Sequence, residues 1–257
     1  MRVVLVGAGG RMGRAVAETL AGAEDVTLRA RIDRAEVTPP ADGGAPWGQD
    51  LESFVTRGDV VVEFSSPAAA VNAATVCAER GAALVSGTTG LGEDDERGVR
   101  AAARKTAIVR AANFSLGVLA LRRALATALG ALPSTWDVEI VERHHRGKQD
   151  APSGTALQLA REAAERRGYP ASALRQGRAG HVGARPEAEI GIHSLRGGSW
   201  VGDHAVVLAG PGEWIELRHV AESRSAFAHG VLAAARFVAT APPGFYTLDE
   251  VASAAAR

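Results

Sequence analysis

Arg2-Val3-Val4-Leu5-Val6-Gly7-Ala8-Gly9-Gly10-Arg11-Met12-Gly13 opens the chain. The apolar run over 2–6 predicts a strand buried on both faces, and the glycines that follow at once predict a tight turn into a helix over 11–20. A second apolar run, over 26–32, ends at Asp33. Strand, glycine turn, helix, strand, acid is the order of a dinucleotide-binding βαβ unit. The turn brings backbone N–H groups and the positive end of the helix to a pyrophosphate, and the acid accepts hydrogen bonds from the adenine ribose hydroxyls. The last glycine sits one residue beyond its place in G-x-G-x-x-G, and glycine turns also serve structural ends.

The alternation continues outward from this stretch. Strands are predicted over 59–64, 82–86 and 107–110, with helices over 68–80 and 93–104 between them. Such an order implies a parallel sheet with helices on both faces, and ligands of such sheets lie beyond the carboxyl ends of the strands. That edge carries Gly7 to Met12, Asp33, Gly87-Thr88-Thr89 and Ala111-Ala112-Asn113-Phe114. Any one of them is ordinary turn chemistry; four on one edge predict a cofactor groove. Asp33 favours the free ribose diol of NADH, whereas the neighbouring Arg34 is placed to pair with the extra phosphate of NADPH, so both cofactors are expected.

The pattern changes after residue 116. A helix over 116–129 leads to a strand over 135–141, and longer strands follow over 188–195, 199–208 and 214–221. Gly197-Gly198 and Gly210-Pro211-Gly212 join these as hairpin turns, which implies a mostly antiparallel sheet and so a second domain. The segment 169–187, rich in Gly, Arg and Pro, reads as an exposed loop, and an Ala-rich helix over 226–240 returns to the first domain. The expected fold is α/β: an N-terminal Rossmann-like dinucleotide-binding domain, 1–115 completed by 225–257, with a second α+β domain over 116–224.

Between the second domain's first strand and its helix lies Glu142-Arg143-His144-His145-Arg146-Gly147-Lys148-Gln149-Asp150-Ala151-Pro152-Ser153-Gly154-Thr155-Ala156. Apolar residues at Ala156, Leu159, Ala160, Ala163 and Ala164 mark one helical face, closed by Gly168 and Pro170. The first turn, at Ser153-Gly154-Thr155, offers unpaired N–H groups to an anion, and His144, His145 and Lys148 add positive charge and protons. This is the chemistry of a carboxylated substrate with a proton donor beside it. The bland alternative is a basic loop before a capped helix. A metal is not expected, because adjacent histidines do not readily converge on one ion and no further ligand has suitable spacing.

Composition narrows the partners. The 257 residues carry 29 Lys+Arg and 29 Asp+Glu, which gives no excess charge to attract nucleic acid or an anionic membrane. Cys77 is the single cysteine, so no internal disulfide forms, and no apolar run reaches membrane-spanning length. A cytoplasmic protein is expected.

The stretch from Glu142 to Ala156 resembles the signature of the 4-hydroxy-tetrahydrodipicolinate (dihydrodipicolinate) reductase family, enzymes of diaminopimelate and lysine biosynthesis. Gly7 to Gly13, Gly87-Thr88-Thr89-Gly90, Ala112-Asn113-Phe114-Ser115, Leu195-Arg196-Gly197-Gly198, Val201-Gly202-Asp203-His204 and Ser223 to Ala228 are similar to that family in the same order. Three features depart: Glu63 stands where Asp is usual, Arg143 where a smaller or apolar residue is common, and 34–58 is shortened.

The resemblance implies reduction of a cyclic imine dicarboxylate with NADH or NADPH. By that resemblance His144 is the acid/base residue, Lys148 the proton donor, and His145, Gly154 and Thr155 the substrate contacts; the helix start read above adds Ser153 to the substrate contacts. Gly7, Ala8, Gly9, Gly10, Arg11, Met12, Asp33, Gly87, Thr88, Thr89, Ala111, Ala112, Asn113 and Phe114 are the cofactor contacts. It also implies a homotetramer built through the second domain's sheet. The residues themselves agree: two carboxylates need several fixed donors, and hydride addition at carbon leaves a nitrogen that needs a proton. Two alternatives are another NAD(P)-linked two-domain reductase, of the amino-acid or sugar dehydrogenase type, and a nucleotide sensor without turnover. The first does not account for Asp150-Ala151-Pro152-Ser153-Gly154-Thr155-Ala156; the second would bind NAD(P)H yet not oxidise it with the imine present.

Overall fold

The computed structural model describes residues 1–37 and 44–255; residues 38–43, inside the shortened 34–58 stretch, and 256–257 lie outside the described residues. The chain divides into two compact units, Met1–Leu116 with Arg224–Arg257, and Gly117–Ser223.

The first unit is built on strands β1 (Arg2–Val6), β2 (Thr27–Ile32), β3 (Trp47–Gly48), β4 (Val60–Glu63), β5 (Ala83–Ser86) and β6 (Ala107–Arg110), with β12 (Gly244–Tyr246) from the end of the chain. They form one sheet in the order β12-β6-β5-β4-β1-β2-β3, and every pairing is parallel. Val3 to Leu5 and Val60 to Val62 are wholly buried, as strands covered on both faces must be. Helices α1 (Arg11–Ala21) and α6 (Ser225–Val238) pack together, as do α2 (Pro67–Arg80) and α3 (Glu93–Ala102). The buried cluster on the α2–α3 side takes Val4, Val61, Leu84 and Ile108 from the sheet and Ala73, Ala74, Cys77 and Val99 from the helices. Local signals set the helix ends. Ser66 caps α2 by accepting from Ala69 N, Pro67 takes its first position, and Gly81 closes it in the left-handed conformation at φ 68°. A short helix α7 (Leu248–Ala255) follows β12.

Strand order reverses between β1 and β4, so the crevice beyond their carboxyl ends is the topological switch point. The glycine turn sits there. Gly7 has φ +77°, and a Cβ on it would lie 2.1 Å from the Phe64 carbonyl oxygen. Gly13, the displaced third glycine, lies in the first turn of α1, where a Cβ would lie 2.1 Å from the Gly7 carbonyl oxygen and 2.7 Å from Ala8 Cα. The displacement therefore leaves the third glycine its task, close approach of helix to turn.

The second unit carries α4 (Leu116–Ala131), β7 (Asp137–His144), α5 (Gly154–Arg167), β8 (Leu174–Gln176), β9 (Ile190–Arg196), β10 (Gly202–Gly210) and β11 (Glu213–Ala221). Its sheet runs β11-β10-β7-β9-β8. β10 is antiparallel to both β11 and β7, whereas β7–β9 and β9–β8 are parallel. The sheet is thus mixed, with the antiparallel β10–β11 pair the longest.

Gly197-Gly198 is not a hairpin turn. β7 lies between β9 and β10, so the 197–201 connection steps across the end of β7. Two neighbouring apolar runs in a sequence do not show that an earlier strand has entered between them. The segment 169–187 is not simply a loop either. It holds β8, and Arg178 and Arg185 tie it to β7 through Glu139 at 2.6 Å and Asp137 at 2.7 Å.

α4 and α5 cover one face of this sheet. Leu121, Leu125, Leu129, Leu159 and Ala163 meet Val138, Ile140, Ile190, Ile192, Val206 and Leu208. β7 runs three residues further than 135–141 predicted, and its alternate residues Val138, Ile140, Glu142 and His144 are buried. Glu142 and His144 therefore point from the face that carries the core. Among the described residues, no helix is long and apolar enough to cross a membrane.

Two glycine substitutions test the packing by opposite signs. Gly13→Ala should cost about 1–3 kcal/mol, the scale of an overpacked site, because backbone rather than a flexible tip opposes the methyl group. Gly130→Ala, in α4, where a Cβ would meet nothing within 4 Å, should instead add up to about 1 kcal/mol. Urea unfolding midpoints read both.

Candidate active site

In the first unit, a cavity of about 580 Å³ at the switch point is lined by Gly7, Gly9, Gly10, Asp33, Arg34, Ser65 and others. Its size is within the range of small-molecule sites. The turn spends most of its own donors internally. Gly7 N and Ala8 N both donate to the Ile32 carbonyl, and Gly10 N donates to Gly7 O. Gly9 N donates to Asp33 Oδ2 at 2.7 Å, while Asp33 Oδ1 accepts from Arg34 N at 2.8 Å. What the helix start leaves for a pyrophosphate is the first-turn N–H groups, those of Arg11 and Met12. Asp33 keeps lone pairs for ribose hydroxyls beside the exposed Arg34. These features fit a dinucleotide.

The remaining edge residues have more divided duties. The Thr88 side chain is buried and its hydroxyl is engaged with Glu63 and Ser65, whereas Thr89 is exposed. Phe114 packs edge-on against Phe64 with ring centroids 5.8 Å apart, and Asn113 Oδ1 accepts from Ser115 N. Ala111 N donates to Ser86 O, and Ala112 is exposed. Thr88 and Phe114 thus belong to the wall by their side chains and can offer a cofactor only backbone.

In the second unit the centre is Glu142, fully buried at the end of β7. Its Oε2 lies 2.5 Å from His144 Nδ1 and accepts from Arg196 Nη1 at 2.8 Å. Its Oε1 accepts from Arg196 Nη2 at 2.7 Å and from Ser153 N at 3.1 Å. Burial works to raise this carboxyl, but the hydrogen bonds from His144, Arg196 and Ser194 outweigh it and hold it well below the usual carboxylate range. An ionised carboxylate accepts only, so His144 carries its proton on Nδ1 and presents Nε2 for proton exchange.

Ser153 joins this group to the helix. Its hydroxyl caps α5 by accepting from Ala156 N at 3.2 Å and lies 2.9 Å from His204 Nε2. The His204 and His144 rings meet edge-on, with centroids 5.2 Å apart. Gly154 begins α5 in the open, for a Cβ there would meet no protein atom within 4 Å, and Thr155 follows it half-buried. His145 donates its backbone N–H to Trp200 O at 2.8 Å, and Gly197 N donates to His144 O, so the 197–200 connection holds the exit of β7.

Lys148 Nζ lies 2.8 and 2.9 Å from the two Asp150 oxygens. Asp150 in turn accepts from Arg196 Nη2 through its carbonyl at 2.7 Å. Hydrogen bonds therefore join Arg196, Glu142 and His144, and Asp150 links Lys148 to them through its side chain on one hand and its carbonyl on the other. Sequence reasoning did not single out Glu142, Arg196, Asp150 or His204 for roles. Arg196 and His204 stand 54 and 62 positions from Glu142 by number, but the β9–β7–β10 register sets Ser194 and His204 opposite Glu142, and Arg196 opposite His144. Arg143 points from the other face of β7 and pairs with Asp203 at 2.8 Å, so that departure lies outside this network.

The glycine turn at the switch point and the buried acid–histidine pair at the head of a helix define a two-unit NAD(P)-linked oxidoreductase. Residues 1–114 match the family model described as dihydrodipicolinate reductase, N-terminus, and 117–252 match dihydrodipicolinate reductase, C-terminus. The 4-hydroxy-tetrahydrodipicolinate reductase of Nitrosomonas eutropha is 41% identical over 261 residues, covering 98% of this chain and 97% of its own. That of Sinorhizobium fredii is 44% identical over 264 residues, with the same coverage. Among solved structures, dipicolinate-bound dihydrodipicolinate reductase from Paenisporosarcina sp. TG-14 is similar with a TM-score of 0.78 at 26% identity, over 96% of this chain and 97% of that one. A putative myo-inositol dehydrogenase from Sinorhizobium meliloti 1021, at 14% identity and TM-score 0.62, shares the fold. The chain belongs to the 4-hydroxy-tetrahydrodipicolinate reductase family.

His204 makes this network sensitive to pH. Burial, then the neighbouring His144, pushes it down from 6.5 to about 4. Between those values the unfolded chain binds the extra proton and the folded chain does not, so stability is full above about pH 6.5 and declines as pH falls toward 4. The loss from this one group is about 3 kcal/mol at its limit. The lowered Glu142 adds a further loss below the ordinary carboxylate range. Melting temperature measured from pH 7 to pH 4 should fall, and His204→Gln should flatten the upper part of that fall.

Proposed function

We propose that this chain reduces 4-hydroxy-tetrahydrodipicolinate to tetrahydrodipicolinate with NADH or NADPH, as a cytoplasmic enzyme of diaminopimelate and lysine biosynthesis. The observation that carries the catalytic assignment is the Glu142–His144 pair beside the Ser153-capped start of α5. It puts a proton-exchanging nitrogen next to a seat for a carboxylate.

The reaction replaces the ring hydroxyl by hydrogen: hydride and one proton enter, and tetrahydrodipicolinate and water leave. Bound NAD(P)H supplies the hydride. Gly7 to Met12 and Asp33 hold its adenosine diphosphate half, with Arg34 beside the ribose, and the segments at Gly87–Thr89 and Ala111–Phe114 border the rest. The protein's own part is charge and protons. Gly154, Thr155 and His145 receive carboxylate, and the positive end of α5 favours it. Lys148 leaves Asp150 for the dianion and donates as electron density moves toward the ring nitrogen. His144 exchanges its proton at Nε2, while Glu142 stabilises the charged imidazole and is itself held by Arg196. The Paenisporosarcina reductase, solved with dipicolinate bound, supports a dicarboxylate as ligand.

His144→Gln and Lys148→Ala should each lower kcat by roughly 10²-fold or more, the scale of a positioned proton donor, with NADH affinity unchanged. His145→Gln and Thr155→Val should raise KM more than they lower kcat. A folded double variant, His144→Gln with Lys148→Ala, that still turned over near the wild-type rate would remove this stretch from the chemistry.

The active form is a homotetramer joined through the second unit's sheet. Its face opposite α4 and α5 exposes Leu195, Trp214 and Val220 on β9 and the edge strand β11, an apolar set that water does not favour. Val220→Asp should shift the sedimentation coefficient toward smaller species; an unchanged tetramer would place the interface elsewhere.

A further inference from the structure

Glu63 ends β4 at the switch point and is fully buried, yet no step above uses it. One carboxylate oxygen accepts from the Ser65 backbone N–H at 2.7 Å, the Ser65 hydroxyl at 2.6 Å and the Thr88 hydroxyl at 2.7 Å. The other accepts from the Ser86 hydroxyl at 2.8 Å. Thr88 Oγ1 in turn accepts from Ser65 N at 2.9 Å, and the Thr88 carbonyl accepts from Arg110 Nη2 at 3.1 Å. Burying a carboxylate is expensive unless donors are gathered to meet it. What only an acceptor can do here is gather donors from two separate segments, one after β4 and one after β5.

Those segments lie on one side of the glycine turn. Asp33, after β2, marks the adenosine end of the groove, and β4 and β5 stand on the opposite side of β1. Ser65 and Ser66 line the same cavity as Asp33, so the groove extends from the adenosine end toward β4. A dinucleotide laid across the switch point rests its nicotinamide half over β4 and β5.

We propose that Glu63 is a positioning residue for the nicotinamide half of the cofactor: it locks Ser65 to Thr88 and so sets the shape of the floor beneath the nicotinamide ribose. This rests on the reading of the sheet edge as the NAD(P)H groove. Glu63 touches neither cofactor nor substrate, and its influence passes through the two segments it joins.

The test compares NADH with ADP, which lacks the nicotinamide half, by calorimetric titration of the full chain. Glu63→Gln keeps the shape but leaves one buried N–H without an acceptor; Glu63→Leu removes every acceptor. Glu63→Gln should weaken NADH by roughly three- to tenfold, part of the cost of one orphaned donor, and Glu63→Leu should weaken it more. ADP should bind both variants as it binds wild type. Asp33→Ala, run beside them, should weaken both ligands. NADH and ADP weakened alike by Glu63→Gln, or a lowered melting temperature with both affinities intact, would overturn the proposal and leave Glu63 a support of the sheet. Should Glu63→Leu fail to fold, Glu63→Gln decides alone. Indifference of both ligands to Asp33→Ala would instead bring down the groove reading, and the proposal with it.

Discussion

The second unit depends on one buried charge. Glu142 sits at zero exposure among Val138, Ile140 and the head of α5, where an unpaired carboxylate would be costly. Arg196 meets it with two parallel N–H bonds, and His144 Nδ1 and Ser153 N fill the remaining positions. Each partner comes from a different place: β9, the end of β7 and the cap of α5. Satisfying this carboxylate therefore ties the ends of β7 and β9 to the start of α5, and it selects the tautomer of His144. The same hydrogen bonds join the elements and orient the imidazole.

The first unit solves a different problem. Its parallel sheet leaves a crevice at the switch point by topology alone, and the polar groups there are largely spent on each other. Asp33 holds the glycine turn through Gly9 N, and Glu63 holds the segments beyond β4 and β5. The groove is thereby built before a ligand arrives, which spares a ligand the cost of ordering it.

Much of this was legible in the sequence, for reasons that differ by element. The parallel strands were legible because burial on both faces leaves apolar runs such as Val3 to Val6 and Val60 to Val62, with glycine and proline at their ends. The start of α5 was legible because a serine cap writes itself into adjacent residues. β12 and β8 were not. Each has only three residues, too few to show a period; β12 pairs with the distant β6, and β8 with β9 across an irregular segment. The false hairpin at Gly197-Gly198 has a long-range cause, since the strand that separates β9 from β10 was laid down some fifty residues earlier. At the site, the histidines and the lysine stood out as a dense local motif. Arg196 and His204 did not, because only the register of β7 with β9 and β10 sets them beside Glu142 and His144.

The first unit is discontinuous, and α6, which packs on β4, β5 and β6, comes from residues 225–238. A ribosome must therefore finish the whole intervening unit before that face of the sheet is covered. At roughly 5–20 residues per second, the apolar strands wait about 6–35 seconds for their own helix. During that interval they are the surface a chaperone would meet, and the newborn chain has no complete nucleotide-binding unit to fold.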